Sequence, residues 1–314
     1  MRPDAARAPV ILLTGSNGQV GFELRRSLSS LGKVVALDRH GCDLARPDAI
    51  RHVVQHYRPE IIVNAAAYTA VDHAESDADH AFAVNGTAPG ILGEEARALG
   101  SLLVHYSTDH VFDGRKPVPY VETDACEPPS VYGKSKRAGE TAVIASGAMH
   151  LVFRTSWVFG AHGENFLKTI LRHARQHDSL QVVCDQFGAP TAAALVADVT
   201  AHAVRGFLRK SQRRRAADLV DFPQGIFHLA ATGATNWNAY AREAVEVAAM
   251  LGMPIRARGD AVVPVASSDY PMIAPRPGNA RLDCTRLEQC FGLHMPPWQD
   301  GMRQVLEQLI LDTP

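Results

Sequence analysis

Cysteine, net charge and long apolar runs are all in short supply in this chain. Its five cysteines (Cys42, Cys126, Cys184, Cys284, Cys290) are odd in number, scattered and nowhere spaced C-x-x-C. A disulfide framework is therefore not expected, and reduced thiols in a cytoplasmic protein fit better. The formal net charge is -1, so no bulk electrostatic argument points to nucleic acid or to an acidic membrane surface. No apolar run approaches membrane-spanning length. Met1–Pro9 has no apolar stretch behind its basic residues and reads as a short tail, not a secretory signal. There is no internal repeat, no Gly-x-Ser-x-Gly elbow and no Walker lysine, which argues against a solenoid, an α/β-hydrolase and an ATPase.

What is present is an ordinary globular composition, 46% hydrophobic and 21% charged over 314 residues. That allows a large core in one domain or two. Val10–Thr14, Lys33–Asp38, Ile61–Asn64, Leu102–Tyr106 and His150–Arg154 are short apolar runs, read as buried strands. Helical periodicity separates them after Val20, over 47–57, over 78–99 and from Lys134 to Ser146. Alternation of this kind predicts an α/β fold with a doubly wound parallel sheet. It fades near residue 160, after which helices are expected over 163–176, 192–209, 236–251 and 298–311. Residues 252–283 hold much of the proline and read as loop or small sheet. The predicted division is a tail at 1–9 and a dinucleotide-binding domain at 10–160, joined again by 188–230. A smaller substrate lobe takes 161–187 and 231–314.

Two stretches carry chemistry. Gly15-Ser16-Asn17-Gly18-Gln19-Val20-Gly21 lies between a strand and a helix. Glycines there permit a tight turn and close approach to a diphosphate, and the helix start offers free N–H groups. Asp38 ends the second strand, where a carboxylate receives an adenosine ribose; Arg39 beside it could pair with a 2′-phosphate. NADH and NADPH are thus both compatible with the pair. Asp43-Leu44 could meet the adenine. Ala65 to Ala67, with Thr69 beyond, could admit cofactor backbone contact or simply pack helix against sheet.

The second stretch holds Tyr132 and Lys136, four residues apart and on one helix face. The lysine charge is expected to lower the phenol's pKa. Thr108 ends the fourth strand and could hold a substrate oxygen beside Tyr132. A hydroxyl, a phenol and an ammonium over a dinucleotide suit ketone reduction by hydride. His52/His56 and His173/His177 have metal-gripping i, i+4 spacing but no third ligand, and read as exposed surface. Lys210–Arg215 reads as a solvated basic run.

Taken together, the glycine loop, Asn64-Ala65-Ala66, Ser107-Thr108-Asp109 and Tyr132-x-x-x-Lys136 resemble the extended short-chain dehydrogenase/reductase superfamily. NAAAYTAVD (64–72), YSTDHVF (106–112), Arg154–Val158, GAPT (188–191) and RPGN (276–279) are similar to the dTDP-4-dehydrorhamnose reductase family. The resemblance runs from about Val10 to the C-terminal helix. It implies a Rossmann fold and reduction of dTDP-4-dehydro-β-L-rhamnose at C4 with NADPH or NADH. It implies cofactor contacts from Gly18, Gln19, Val20, Asp38, Asp43, Leu44, Ala67, Tyr68 and Thr69, to which the reading of the residues above adds Gly15, Arg39 and Ala65. Thr108, Asp109 and Trp157 are implied sugar contacts, with Arg276 and Asn279 as further candidates, and Tyr132 with Lys136 carry catalysis. Some members form a homodimer around Mg²⁺ held by glutamates. Glu23 matches one such position and Glu307 is a candidate for another, but Ala194 stands where a carboxylate would be. No structural Mg²⁺ is therefore expected, and homodimer and monomer both stay open. His110 stands where the family often has tyrosine. The alternatives are an epimerase or dehydratase with tightly held NAD, and a non-catalytic regulatory subunit on the same fold.

Overall fold

The computed structural model describes residues 7–211, 221–270 and 272–311. Its centre is a six-stranded, wholly parallel sheet. Strands β1 (Val10–Thr14), β2 (Lys33–Leu37), β3 (Ile61–Asn64), β4 (Leu102–Thr108) and β5 (His150–Thr155) are joined by Gly225–His228. The order across the sheet is β2, β1, β3, β4, β5 and then Gly225–His228.

Period-2 alternation along β1 explains why helices cover both faces. Ile11 and Leu13 pack with Leu24 and Leu28 and with Val196, Val199, Val204 and Phe207 of the helix Ala193–Ser211. Leu12 points the other way, against Ile50, Val54, Ile91, Leu92 and Val143. Those come from the helices Pro47–Tyr57, Ala88–Leu99 and Val131–Ser146. The chain leaves β1 toward β2 on one side and returns to β3 on the other, so a crevice opens at the carboxyl ends of β1 and β3.

A second apolar core lies outside the sheet. Leu167, Ile170 and Leu171 of the helix Phe166–Gln176 pack against Tyr240, Ala244 and Val245 of Trp237–Met250 and Trp298, Met302 and Leu306 of Trp298–Leu311. Within the proline-rich segment, Val262–Val265 pairs in parallel with Leu180–Val183.

Two local features depart from the sequence reading. The 78–99 helix is interrupted by a π-helical stretch at Ala83–Thr87. The catalytic-motif helix starts at Val131, because the Ser130 hydroxyl accepts the Gly133 N–H at 3.1 Å as its N-cap. Most of the tail, residues 1–6, and most of the basic run, from 212 onward, lie outside the described residues. Among the described residues no helix is long and apolar enough to cross a membrane.

Candidate active site

The carboxyl ends of β1, β3 and β4 open into a single cavity of about 1550 Å³ that extends beneath the second core. Its cofactor side begins at the glycine loop. Gly15 has φ +72°, and a Cβ there would meet the Ala66 nitrogen at 2.5 Å. A Cβ on Gly21 would sit 2.0 Å from the Gly15 carbonyl oxygen, so that position packs the helix start onto the turn. Helix α1 (Gln19–Ser27) starts with no side-chain cap and no acidic residue in its first turn. Its free N–H groups and positive dipole end therefore suit an anion. These features fit the diphosphate of a dinucleotide.

Gly15, Gly18, Gln19, Val20, Asp38, Arg39, Asp43, Leu44, Ala65, Ala67, Tyr68 and Thr69 all line this cavity. Asp38 accepts the backbone N–H groups of His40 and Gly41 on one oxygen and the Asn17 amide at 3.1 Å on the other. The Gly41 N–H leads the effects that hold this carboxyl below its ordinary range. Arg39 is exposed, 3.9 Å from Asp43. Sequence reading missed Asn85, which sits in the π-helical stretch. It accepts the Tyr68 N–H and donates to the Tyr68 carbonyl, both at 2.9 Å, fixing the backbone of the cofactor wall. A π-bulge at a functional wall is a recurring use of that distortion.

On the chemical side, Thr108, Asp109, Tyr132, Lys136, Trp157 and Arg276 line the same cavity. The Thr108 hydroxyl donates to Asp109 Oδ1 at 3.1 Å. Burial pushes the Asp109 carboxyl up to about 7, against the pull of Thr108. Burial likewise holds the Tyr132 phenol up at about 12, with Thr108 pulling it down. This corrects the expectation that Lys136 lowers Tyr132 toward neutrality. The Lys136 ammonium instead donates to the Tyr106 carbonyl at 2.6 Å. Burial depresses Lys136 to about 8, partly offset by the Glu140 charge one turn on. The His110 ring meets Tyr132 edge-on at 5.4 Å, and burial together with the Arg276 charge lowers it to about 4.

Trp157 adopts a left-handed backbone, φ +48°. Strain of this kind costs about 1–3 kcal/mol and is retained where packing over-determines it. Here the ring stacks on Trp237 at 3.5 Å and 13°, and the pair makes an aromatic wall. Arg276 donates to Asp72 at 2.7 Å.

Asn279, three residues beyond Arg276, is engaged elsewhere. Its amide donates to the carbonyls of Lys116 and Val118, at 2.7 and 2.9 Å, and its oxygen accepts from Arg281. It ties loops together and does not line the cavity, so its reading as a substrate contact is corrected. His173 and His177 are exposed, as the sequence reading expects, and both also line the cavity. Among the described residues no cluster of three or more His, Cys, Asp or Glu is arranged to hold a metal ion.

Beneath the site lies an ionic network that spacing did not reveal. Arg154 donates to both oxygens of Glu140, at 2.8 and 2.7 Å, and Arg137 adds a third bond at 2.7 Å. Arg154 and Glu140 are 1% and 0% exposed.

A doubly wound sheet, a glycine cradle at its switch point and a Thr–Tyr–Lys group across one crevice define a class: the extended short-chain dehydrogenase/reductases. The particular family follows from residues 9–311, which match the RmlD substrate binding domain, and the chain belongs to that family. It is 47% identical to a dTDP-4-dehydrorhamnose reductase of Burkholderia thailandensis, over 96% of this chain and 99% of that one. The crystal structure of such a reductase from Clostridium acetobutylicum superposes with a TM-score of 0.85 at 31% identity, covering 96% and 99% of the two chains. The Bacillus anthracis reductase, solved in complex with NADP, gives 0.82 at 29% identity with the same coverage.

Proposed function

We propose that the chain reduces the C4 ketone of dTDP-4-dehydro-β-L-rhamnose to dTDP-β-L-rhamnose with NADPH or NADH, the last step of dTDP-L-rhamnose synthesis. The observation that carries this reading is the meeting of Thr108, Tyr132 and Lys136 with the glycine cradle in one cavity. The nicotinamide group supplies hydride to the carbonyl carbon when bound.

The chain's own residues handle the oxygen and its proton. A phenol held up at about 12 keeps its proton at neutral pH, so Tyr132 is an acid waiting for a base. Only the alkoxide developing at C4 is basic enough to take that proton. Thr108 hydrogen-bonds the same oxygen and so favours the transition state over the ketone. Lys136, fixed on the Tyr106 carbonyl, places a positive charge near the phenolate left behind and grips the nicotinamide ribose. Asp109 and Arg276 hold sugar hydroxyls, and the Trp157–Trp237 wall shields the ring from water. The glycine loop, Asp38 and Arg39 hold the adenosine half, and Ala65 to Thr69 line the nicotinamide half.

In this reading residues 10–160 and 188–230 form the cofactor domain. Pairing of Gly225–His228 with β5 supports the return. Residues 161–187 and 231–314 form the substrate lobe. Five free thiols suit a cytoplasmic setting. The test is oxidation of NADPH or NADH by the purified protein with dTDP-4-dehydro-β-L-rhamnose made in situ. Consumption dependent on the keto sugar supports the proposal. No consumption with either cofactor, or NAD retained through purification, favours an epimerase or dehydratase.

A further inference from the structure

The segment Gly160–Asn165, which leads into the substrate lobe, closes over the glycine loop from outside. The His162 ring stacks flat on Phe22 at 4.1 Å, and its Nε2 lies 3.0 Å from the Asn17 carbonyl oxygen. Asn165 makes the most informative contacts. Its Oδ1 accepts the Lys168 N–H at 3.1 Å, capping the helix Phe166–Gln176. Its Nδ2 donates to the Gly160 carbonyl at 2.8 Å and to Gln19 Oε1 at 2.9 Å.

These bonds settle two amide orientations that the shape of the side chains alone leaves ambiguous. A backbone N–H can only donate and a backbone carbonyl can only accept. Asn165 must therefore present oxygen to Lys168 and nitrogen to Gly160. The atom of Gln19 facing that nitrogen must then be its oxygen. Gln19 Nε2 is left as the outward group on a residue that lines the cavity at the first position of α1. It has no protein partner among the described residues. An N–H₂ group there adds side-chain donors to the free backbone donors of the helix start.

We propose that Asn165 is a positioning residue for the cofactor diphosphate: it locks the Gln19 amide so that Nε2, not Oε1, faces the phosphate oxygens. The inference rests on the dinucleotide reading of the glycine loop. It assigns to the substrate lobe a direct part in cofactor affinity, carried by one side chain across the lobe boundary.

The test is Asn165→Asp, which keeps an oxygen for the Lys168 N–H, removes the donor to Gln19 and to the Gly160 carbonyl, and adds a negative charge whose own effect on the diphosphate the Gln19→Ala background below reads out. A carboxylate beside Gln19 Oε1 would turn the amide over and point its oxygen at the diphosphate. Binding is read by quenching of protein fluorescence with NADPH, NADH and ADP-ribose, which share the diphosphate. The expected result is a Kd about tenfold higher for all three, the scale of one hydrogen bond to a charged group. The melting temperature without ligand should stay close to that of the parent. In a Gln19→Ala background the Asn165→Asp change should have no further effect on Kd. An unchanged Kd in the single variant, or an equal loss in the Gln19→Ala background, overturns the proposal. Failure of the parent protein to bind any of the three ligands would instead overturn the dinucleotide reading itself.

Discussion

Replacing Glu140 by alanine is expected to cost far more than its distance from the reacting atoms suggests. Its carboxylate is 0% exposed and neutralises an Arg154 guanidinium that is 1% exposed. Removing it leaves that cation buried among β5, the 126 loop and the Val131–Ser146 helix, with Cys126 Sγ and the Glu122 carbonyl as its nearest remaining partners. Breaking one side of a buried pair costs about 3–5 kcal/mol. A chain of this size has roughly 5–15 kcal/mol in total. At about 2–4 °C per kcal/mol the melting temperature should fall by roughly 6–20 °C. Urea unfolding of the parent and Glu140→Ala proteins measures this directly. A loss below about 1 kcal/mol would refute the reasoning. The double variant Glu140→Leu/Arg154→Met should be more stable than Glu140→Ala, because no fully buried charge is then left unpaired; Arg137, the other partner of Glu140, is 37% exposed and reaches water. The sign with pH follows from the pKa. Burial alone would raise Glu140, but the hydrogen bonds and charge of Arg154 prevail and hold it below 4.5. Its contribution is then fully present above the unfolded-state pKa and is lost as pH falls through the folded one. The gap between parent and variant should close only in acid.

Other predictions concern the chemistry. Tyr132→Phe should lower kcat by about 10²–10⁴-fold, the range for a general acid, and leave the Kd for NADPH within about twofold; near-normal turnover would remove Tyr132 from its role. Lys136 is depressed to about 8, so its positive charge is lost as pH rises through that value. The rate should accordingly fall above about pH 8, measured as kcat/KM against pH. The Lys136→Met variant should lose that limb, and a parent profile flat to pH 10 would contradict it.

Much of this arrangement could be read from the chain. Parallel strands are buried on both faces, so each appears as an apolar run, and the glycine loop sits between a strand and a helix in an order that few other folds share. Thr108 and Tyr132 were found because strand ends and helix faces place side chains predictably. What escaped is what depends on distant segments. Asn85 and Asn165 look like any polar loop or helix residue, and only the fold brings them to the backbone of Tyr68 and the amide of Gln19. Glu140 lies one turn beyond Lys136, but its partner comes from the next strand. Spacing made Lys136 a neighbour of Tyr132, yet it could not show that burial dominates both pKa values. Asn279 was misread because the RPGN motif marks a loop tie as readily as a binding site. That His173 and His177 are exposed is legible in the sequence; that they also line the cavity is not.

Delivery of hydride to C4 of a keto sugar, with Tyr132 protonating its oxygen, is the central claim for this cavity. The most direct measurement uses reduced cofactor carrying deuterium at both nicotinamide C4 positions, with dTDP-4-dehydro-β-L-rhamnose and proton NMR of the product. One deuterium is expected on sugar C4 for each cofactor oxidised, and none elsewhere on the ring. Cofactor left unoxidised, or label at another ring carbon, would contradict it.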